Sequence, residues 1–191
     1  SPLFFGVGRF VDKKAPYYTI LAFNKVLEDY PKAKLILAGN GHLHSMCENL
    51  IKYLNISESV SLLGQVSPDK IALFFKDALA FVQHSITASN GDMEGTPVAI
   101  LEAMASGMIS TLHAGIPDVV INEVTGFLVQ EHQVDEMSKK MLFFLNNFSE
   151  AQAMGKKGKL YVKENYSRDN HISILNKVID EELIIKQQQE F

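Results

Sequence analysis

The strongest constraint on this sequence is an alternation. Short runs that are almost wholly apolar and β-prone recur at 3–7, 33–38, 60–63, 78–82, 109–112 and 126–129. Between them lie longer segments with apolar residues at helical spacing, at 16–30, 43–54, 68–76 and 97–106, with a short one at 117–122. A strand covered on one face alternates apolar and polar residues; these runs do not, so both of their faces must be covered. The expected fold class is α/β: a Rossmann-like, doubly wound, six-stranded parallel sheet between two helical layers. After residue 129 the pattern becomes wholly helical, at 134–147, 150–165 and 168–186, before a polar tail at 187–191 that is expected to be disordered. Residues 1–186 are read as one domain with a helical extension from about residue 133, and no linker or internal repeat is visible.

Composition excludes several functions. A chain of 191 residues with 47% hydrophobic content can bury a core of its own. Its net charge of −4, from 18 basic and 22 acidic residues, supplies no basic field for nucleic acid. The cluster Lys156, Lys157, Lys159 and Lys163, with Glu150 and Glu164 nearby, reads as a solvated helix face. The single cysteine, Cys47, rules out an intrachain disulfide and a Cys-rich metal site, which suits a reducing compartment and makes the cytoplasm the expected location. The longest apolar stretch, 96–112, is interrupted by Glu102, and the start lacks the pattern of a signal peptide, so no membrane span is expected; peripheral contact remains compatible.

In a doubly wound sheet, ligands bind beyond the carboxyl ends of the strands, so the chemistry is sought in those loops. GVGRFVDKKAP, 6–16, places Gly8, Arg9 and Lys14 between a strand and a helix opened by Pro16. It is neither a dinucleotide fingerprint nor a Walker motif, but two cations beside a helix start suit a diphosphate as well as they suit an ordinary surface turn. AGNGH, 38–42, offers Gly39 for close backbone approach. LGQVSPDK, 63–70, has Ser67 as the expected helix cap and a main chain around Val66 that can line a pocket.

The loop FVQHSITASNGDMEGTP, 81–97, is long and polar in a chain whose other connections are short. His84 and Ser85 have no acid at a triad spacing, so His84 reads as a hydrogen-bonded wall. Thr96 as cap and Pro97 at the first helical position would leave the amides of Gly95, Thr96 and Val98 facing an oxygen-rich ligand, with Glu94 just outside. Glu102 lies about one and a half turns into a helix of small and apolar residues. A lone acid buried there is costly without donors. The two hydroxyls of a ribose would serve, and so would an ion pair in the core.

These segments resemble a known family. EGTPVAILEAMASG, 94–107, looks like the E-x7-E segment of retaining GT-B glycosyltransferases, the family of sucrose synthase and bacterial polysaccharide transferases. GRFVDKKAP is similar to its G-R-x-x-x-x-K-G turn, AGNG to its small glycine turn, and HAGIPDVV and TGFLV to the stretches that follow; all occur in family order within residues 3–130. HSITASNGDMEGTP is most similar to transferases of exopolysaccharide and colanic-acid type. The resemblance implies one half of a GT-B fold, the carboxyl-terminal donor domain. It implies that Arg9, Lys14 and Glu94 are catalytic: Arg9 and Lys14 hold the donor diphosphate as it leaves, and Glu94 meets the transferred sugar. It further implies that Glu102 accepts from the ribose, that Val66 contacts the base through its main chain, and that Gly8, Gly39, His84, Gly95, Thr96, Pro97 and Val98 complete the donor site. The implied donor is an NDP-sugar, with UDP or GDP as the leading nucleotides; no metal or other cofactor is expected, and the acceptor is a glycan or lipid-linked sugar.

Two local departures are Ala15 in place of the family glycine and the absence of proline after Gly107. The chain also begins at the first strand of the donor domain, so an amino-terminal acceptor domain is the expected missing partner. The chain alone is expected to bind a nucleotide sugar without transferring it, with Ile172, Ile174, Leu175, Val178 and Leu183 exposed by that loss. A non-catalytic sugar-nucleotide module shares the same donor residues. A sugar-nucleotide epimerase should carry other acids and histidines in place of E-x7-E, and a phosphorylase should carry a cofactor lysine in a longer chain.

Overall fold

The structure is a computed structural model that describes residues 1–95, 98–104 and 107–166. It contains six strands: β1 (Leu3–Val7), β2 (Lys34–Ala38), β3 (Val60–Leu62), β4 (Ala80–Val82), β5 (Gly107–Thr111) and β6 (Phe127–Val129). They form one parallel sheet in the order β3-β2-β1-β4-β5-β6. The chain winds outward from β1 to β3, returns to the other side of β1 as β4, and winds outward again. The crevice between the ends of β1 and β4 is therefore the topological switch point, where such sheets hold their ligands.

The helices are α1 (Pro16–Asp29), α2 (His44–Tyr53), α3 (Pro68–Asp77), α4 (Val98–Ala103), α5 (Val134–Asn146) and α6 (Phe148–Asn165), with a 3-10 turn at Asp12–Lys14. Two consecutive residues of β1 show why the strands are apolar throughout. Phe4 packs edge-on against Phe23 of α1, centroids 6.1 Å apart, whereas Phe5 points to the opposite face and meets Phe74 and Phe75 of α3 at 5.0 and 5.3 Å. Both are fully buried. Each contributes roughly 1.5–3 kcal/mol by leaving water. On the Phe4 side, α1 buries Ile20, Phe23 and Val26 along one stripe and packs against α5.

Pro16 opens α1 as expected, and Ala15 before it holds φ 35° and ψ 54°. Glycine reaches that left-handed conformation without strain; alanine pays on the order of 1–2 kcal/mol for it, the physical meaning of the Ala15 departure.

Three expectations are corrected. Residues 117–122 do not form a helix. The amides of Val119 and Val120 both bond to the carbonyl of Ile116, giving a single turn, and side chains then take over the backbone: Thr125 Oγ1 accepts from Ile121 N–H at 2.9 Å, and Asn122 Oδ1 accepts from Leu128 N–H at 2.9 Å. Ser67 stands at the N-cap of α3 but makes no side-chain capping bond. Pro68 supplies the start instead, with its ring fixing the first helical φ and one amide fewer to satisfy. Glu102 is not a core acid. The short α4 turns Ile100 and Ala103 inward, and Glu102, two residues from Ile100 and so near the opposite side of the helix, is exposed.

Ser1–Lys159 form one compact unit; residues 160–166 complete α6 and are grouped with a second. Lys156, Lys157, Lys159 and Lys163 are all exposed, as a solvated helix face requires. Thr96, Pro97, the segment 168–186 with its apolar residues, and the tail 187–191 lie outside the described residues. Among the described residues no helix is long and apolar enough to cross a membrane.

Candidate functional site

The loops leaving β1, β2 and β3 are joined by their backbones. Gly8 N–H donates to Ala38 O at 3.0 Å, Phe10 N–H to Asn40 O at 2.9 Å and Gly39 N–H to Gly64 O at 2.6 Å. Gly39 holds φ 133°, and a Cβ there would lie 1.9 Å from the Gly8 carbonyl oxygen, so only glycine lets the loops close. Gly8 differs: a Cβ on it would meet only the Lys14 stem, at 3.6 Å. Glycine at position 8 thus leaves the backbone open to a ligand rather than relieving a clash. Above this floor lies a cavity of ≈ 350 Å³ whose lining includes Gly8, Arg9, Gly39, Asn40, Gln65 and Val66. Gly8 and Gly39 leave main chain accessible on one side of it, while Val7, Ala38, Val66 and Ile71 make much of its lining apolar.

At the switch point, the loop after β1 meets the long loop after β4. Lys14 Nζ and Glu94 Oε2 are 2.7 Å apart, with side chains only 13% and 14% exposed. The contact is a part-buried ion pair. Lys14 also donates to Gln83 Oε1 at 3.4 Å. Burial pulls the Lys14 ammonium below the ordinary lysine range, opposed by the Glu94 carboxylate and aided by repulsion from Lys13 and Arg9. Arg9 is exposed and forms no ion pair among the described residues. Arg9 thus adds a second positive charge beside the Lys14–Glu94 pair, close enough to act on the Lys14 ammonium.

His84 follows β4 and is fully buried. Its Nε2 accepts the His132 amide at 3.0 Å and its ring lies 4.8 Å from that of Tyr18. In the neutral ring the proton is therefore on Nδ1, which has no partner among the described residues. Burial, reinforced by His132, pushes the pKa down to about 4, so the ring is an uncharged donor at neutral pH. With Gly8, Arg9 and Lys14 it lines a small cavity of ≈ 30 Å³, about the room one water occupies.

The structure thus brings together Gly8, Arg9, Lys14, Gly39, Val66, His84 and Glu94 at the ends of β1 to β4. Gly95 and Val98 are exposed beside the long loop and Glu102 is exposed on α4, while Thr96 and Pro97 fall outside the described residues. Among the described residues no group of three or more His, Cys, Asp or Glu side chains is arranged to hold a metal ion. Cys47 is buried and its thiol pushed up to about 12, so it is not a nucleophile. A larger cavity of ≈ 820 Å³, lined by Leu3, Phe75, Leu79 and Phe148 together with Tyr30, Lys76, Asp77, Gln152 and Lys156, lies at the opposite end of the sheet, away from the carboxyl ends of the strands where a doubly wound sheet holds its ligand.

Sequence reasoning missed the residues that hold the long loop. Glu94 N–H donates to His113 Nε2 at 3.0 Å, the other ring nitrogen of His113 contacts Glu131 Oε1, and Glu131 Oε2 accepts the Thr87 amide at 3.0 Å. On the other side, Lys13 Nζ donates to Asp92 Oδ1 at 3.0 Å and to Met93 O at 3.1 Å. His132 completes the wall through a 2.8 Å hydrogen bond between Nδ1 and the Tyr18 hydroxyl. The available signal was positional: His84, His113 and His132 all stand just past the carboxyl ends of strands, at β4, β5 and β6.

The family model described as glycosyl transferases group 1 matches residues 1–161. The chain belongs to this family. A colanic acid biosynthesis glycosyltransferase, WcaL of Escherichia coli K12, is 31% identical over 140 residues, covering 72% of this chain and 34% of the relative. A GDP-mannose-dependent monoacylated alpha-(1-6)-phosphatidylinositol monomannoside mannosyltransferase of Corynebacterium glutamicum is 28% identical over 83% of this chain and 42% of its own length. The group 1 chain therefore spans about a quarter to just under half the length of the curated relatives it matches. Anabaena HepE, solved in complex with UDP-glucose, has the same fold, with a TM-score of 0.79 at 18% identity over 95% of this chain and 48% of HepE. The Rossmann-like, doubly wound half-fold expected from the sequence is the observed one, and the resemblance to exopolysaccharide-type transferases holds.

Proposed function

We propose that this group 1 domain is the nucleotide-sugar-binding half of a retaining glycosyltransferase that moves a hexose from an NDP-sugar to a glycan or lipid-linked acceptor in polysaccharide biosynthesis. The observation that carries the reading is the Lys14–Glu94 pair across the switch point, beside an Arg9 that has no acidic partner among the described residues. Diphosphate is the leaving group that suits such a site. When its bond to the sugar breaks, the bonding pair stays on the diphosphate oxygen, and the Arg9 guanidinium and Lys14 ammonium are already in place to receive the charge. Preorganised cations of this kind are the largest contribution to many transfer reactions. No metal is required in this account, because the two side chains supply the positive charge.

Donor binding exchanges partners. Lys14 turns from Glu94 to a phosphate oxygen, and Glu94 accepts from hydroxyls of the transferred sugar. The base occupies the cavity beside Gly39 and Val66. Glu102, exposed on α4, accepts from the ribose diol, and its exposure fits a ligand contact better than a structural ion pair in the core. The His84 Nδ1–H donates to a donor oxygen, and Gly95, Thr96, Pro97 and Val98 border the sugar. HepE with its UDP-glucose and the mannosyltransferase with its GDP-mannose dependence support uridine and guanosine donors as those to test first. The acceptor is held by an amino-terminal domain of the full enzyme, working in the cytoplasm at the inner face of the membrane.

Thermal denaturation against a panel of nucleotide sugars and nucleoside diphosphates tests this. Any compound that binds only the folded state stabilises it by RT ln(1 + [L]/Kd). UDP-glucose or GDP-mannose is expected to raise the Tm, and Glu102→Ala to reduce the shift. A panel that leaves the Tm unchanged at millimolar concentration refutes the donor-site reading.

A further inference from the structure

We infer that His113 and Glu131 form a positioning pair that fixes the backbone from which Glu94 reaches the transferred sugar, an inference that rests on the role given to Glu94 above.

The Glu94 side chain has one described partner, Lys14. That contact cannot hold Glu94 in the working state, because both groups must turn to the donor when it binds. Something else has to keep the carboxylate at its post. The Glu94 amide is the nearest anchor, and it is bonded to His113 Nε2. Because Nε2 faces an N–H, it must be the bare, accepting nitrogen, and the ring proton must sit on Nδ1, against Glu131. Glu131 therefore selects the tautomer that His113 needs in order to accept.

The pair is built for this role. His113 is 2% exposed and comes from the rigid end of β5, and Glu131 from the end of β6. Burial alone would raise the Glu131 pKa, but the bonds from His113 and the Thr87 amide hold it below the usual carboxylate value, so it stays ionised and accepting. Through Thr87 the same carboxylate grips the start of the loop whose far end carries Glu94. Lys13 clamps the opposite side through Asp92, Met93 O and the Ile86 amide, which bonds to Lys13 O at 3.0 Å. The loop is thus tied to the ends of β5 and β6 and to the turn after β1 by bonds that involve neither the Lys14 nor the Glu94 side chain, leaving those two free to trade partners.

The test compares His113→Ala, His113→Gln and Glu131→Gln with the wild type, titrating UDP-glucose against UDP and GDP-mannose against GDP, with amide hydrogen exchange at Glu94. A lost anchoring hydrogen bond should weaken the nucleotide sugar roughly ten-fold while leaving the nucleoside diphosphate unchanged. Glu94 amide exchange should quicken in His113→Ala, and His113→Gln, which keeps an acceptor, should recover part of both effects. Glu131→Gln leaves one acceptor oxygen for two donors, His113 Nδ1–H and the Thr87 amide, so it should show part of the effect of His113→Ala. A purely structural role predicts equal weakening of sugar and diphosphate, and that result overturns the inference. So does unchanged Glu94 exchange in His113→Ala. Wild-type protein that binds none of the four compounds overturns the donor reading itself, whereas preference for the nucleotide sugar retained in all three variants overturns only the positioning pair. Should His113→Ala fail to fold, the same comparison rests on the Gln variants.

Discussion

Acid should destabilise this domain through His84 in particular. The residue is fully buried, its Nε2 is committed to the His132 amide, and its pKa is pushed from 6.5 to about 4. The unfolded chain takes up a proton at His84 as the pH falls through about 6.5, while the folded chain refuses it until about 4. Stability from this group is therefore complete above 6.5, is lost progressively between 6.5 and 4, and changes no further below that. Between pH 7 and pH 5 the loss comes to about 2 kcal/mol, against a limit of about 3 kcal/mol for the whole shift. His84→Gln keeps an acceptor for the His132 amide but cannot titrate. Urea denaturation followed by circular dichroism at pH 7, 6 and 5 gives the comparison, and subtracting the variant's pH dependence cancels every other group. With a urea slope of about 2 kcal/mol/M, the wild-type midpoint should fall by roughly 1 M more than that of His84→Gln over this range. Parallel pH dependence in the two proteins would mean that His84 is not held neutral by burial, and its role as an uncharged donor at the site would fall with it.

Replacing Gly39 with alanine should cost at least about 3 kcal/mol in urea denaturation, because backbone rather than a flexible side chain blocks the new methyl; a cost under about 1 kcal/mol would contradict the close approach of the two loops. Because Lys14 deprotonates below the usual lysine value, affinity for UDP or GDP should decline as the pH rises through that lowered value. Glu94→Gln removes the interactions that hold the Lys14 pKa up, so calorimetric titration should show the decline starting at lower pH; an identical profile would show that the pair is not coupled.

Much of the fold was legible because double burial leaves a strong mark: residues such as Phe4 and Phe5 can both be apolar in one strand only if both faces are covered. The glycine floor was readable too, since Gly39 has a steric reason to be glycine. Legibility failed where side chains compete with the backbone or where phase decides. Thr125 and Asn122 divert a segment whose own residues look helical. Glu102 sits in an apolar helix, yet its exposure depends on which side Ile100 and Ala103 turn inward, and six residues are too few for a pattern to declare that. The anchoring of Glu94 was the least visible, because His113 and Glu131 stand far apart in sequence and meet only through the register of β5 against β6. The resemblance supplied candidate ligand contacts, not the residues that hold them.

In the proposed complex a nucleotide sugar sits over the ends of β1 to β4, with its diphosphate on Arg9 and Lys14. Amide chemical-shift mapping with UDP-glucose and GDP-mannose tests it most directly. One or both are expected to shift the amides of Gly8, Arg9, Lys14, Gly39, Val66 and Glu94, and Lys14→Ala to abolish most of the response. Shifts gathered instead around Leu3, Phe75 and Phe148 at the opposite end of the sheet, or an unchanged response in Lys14→Ala, would contradict it.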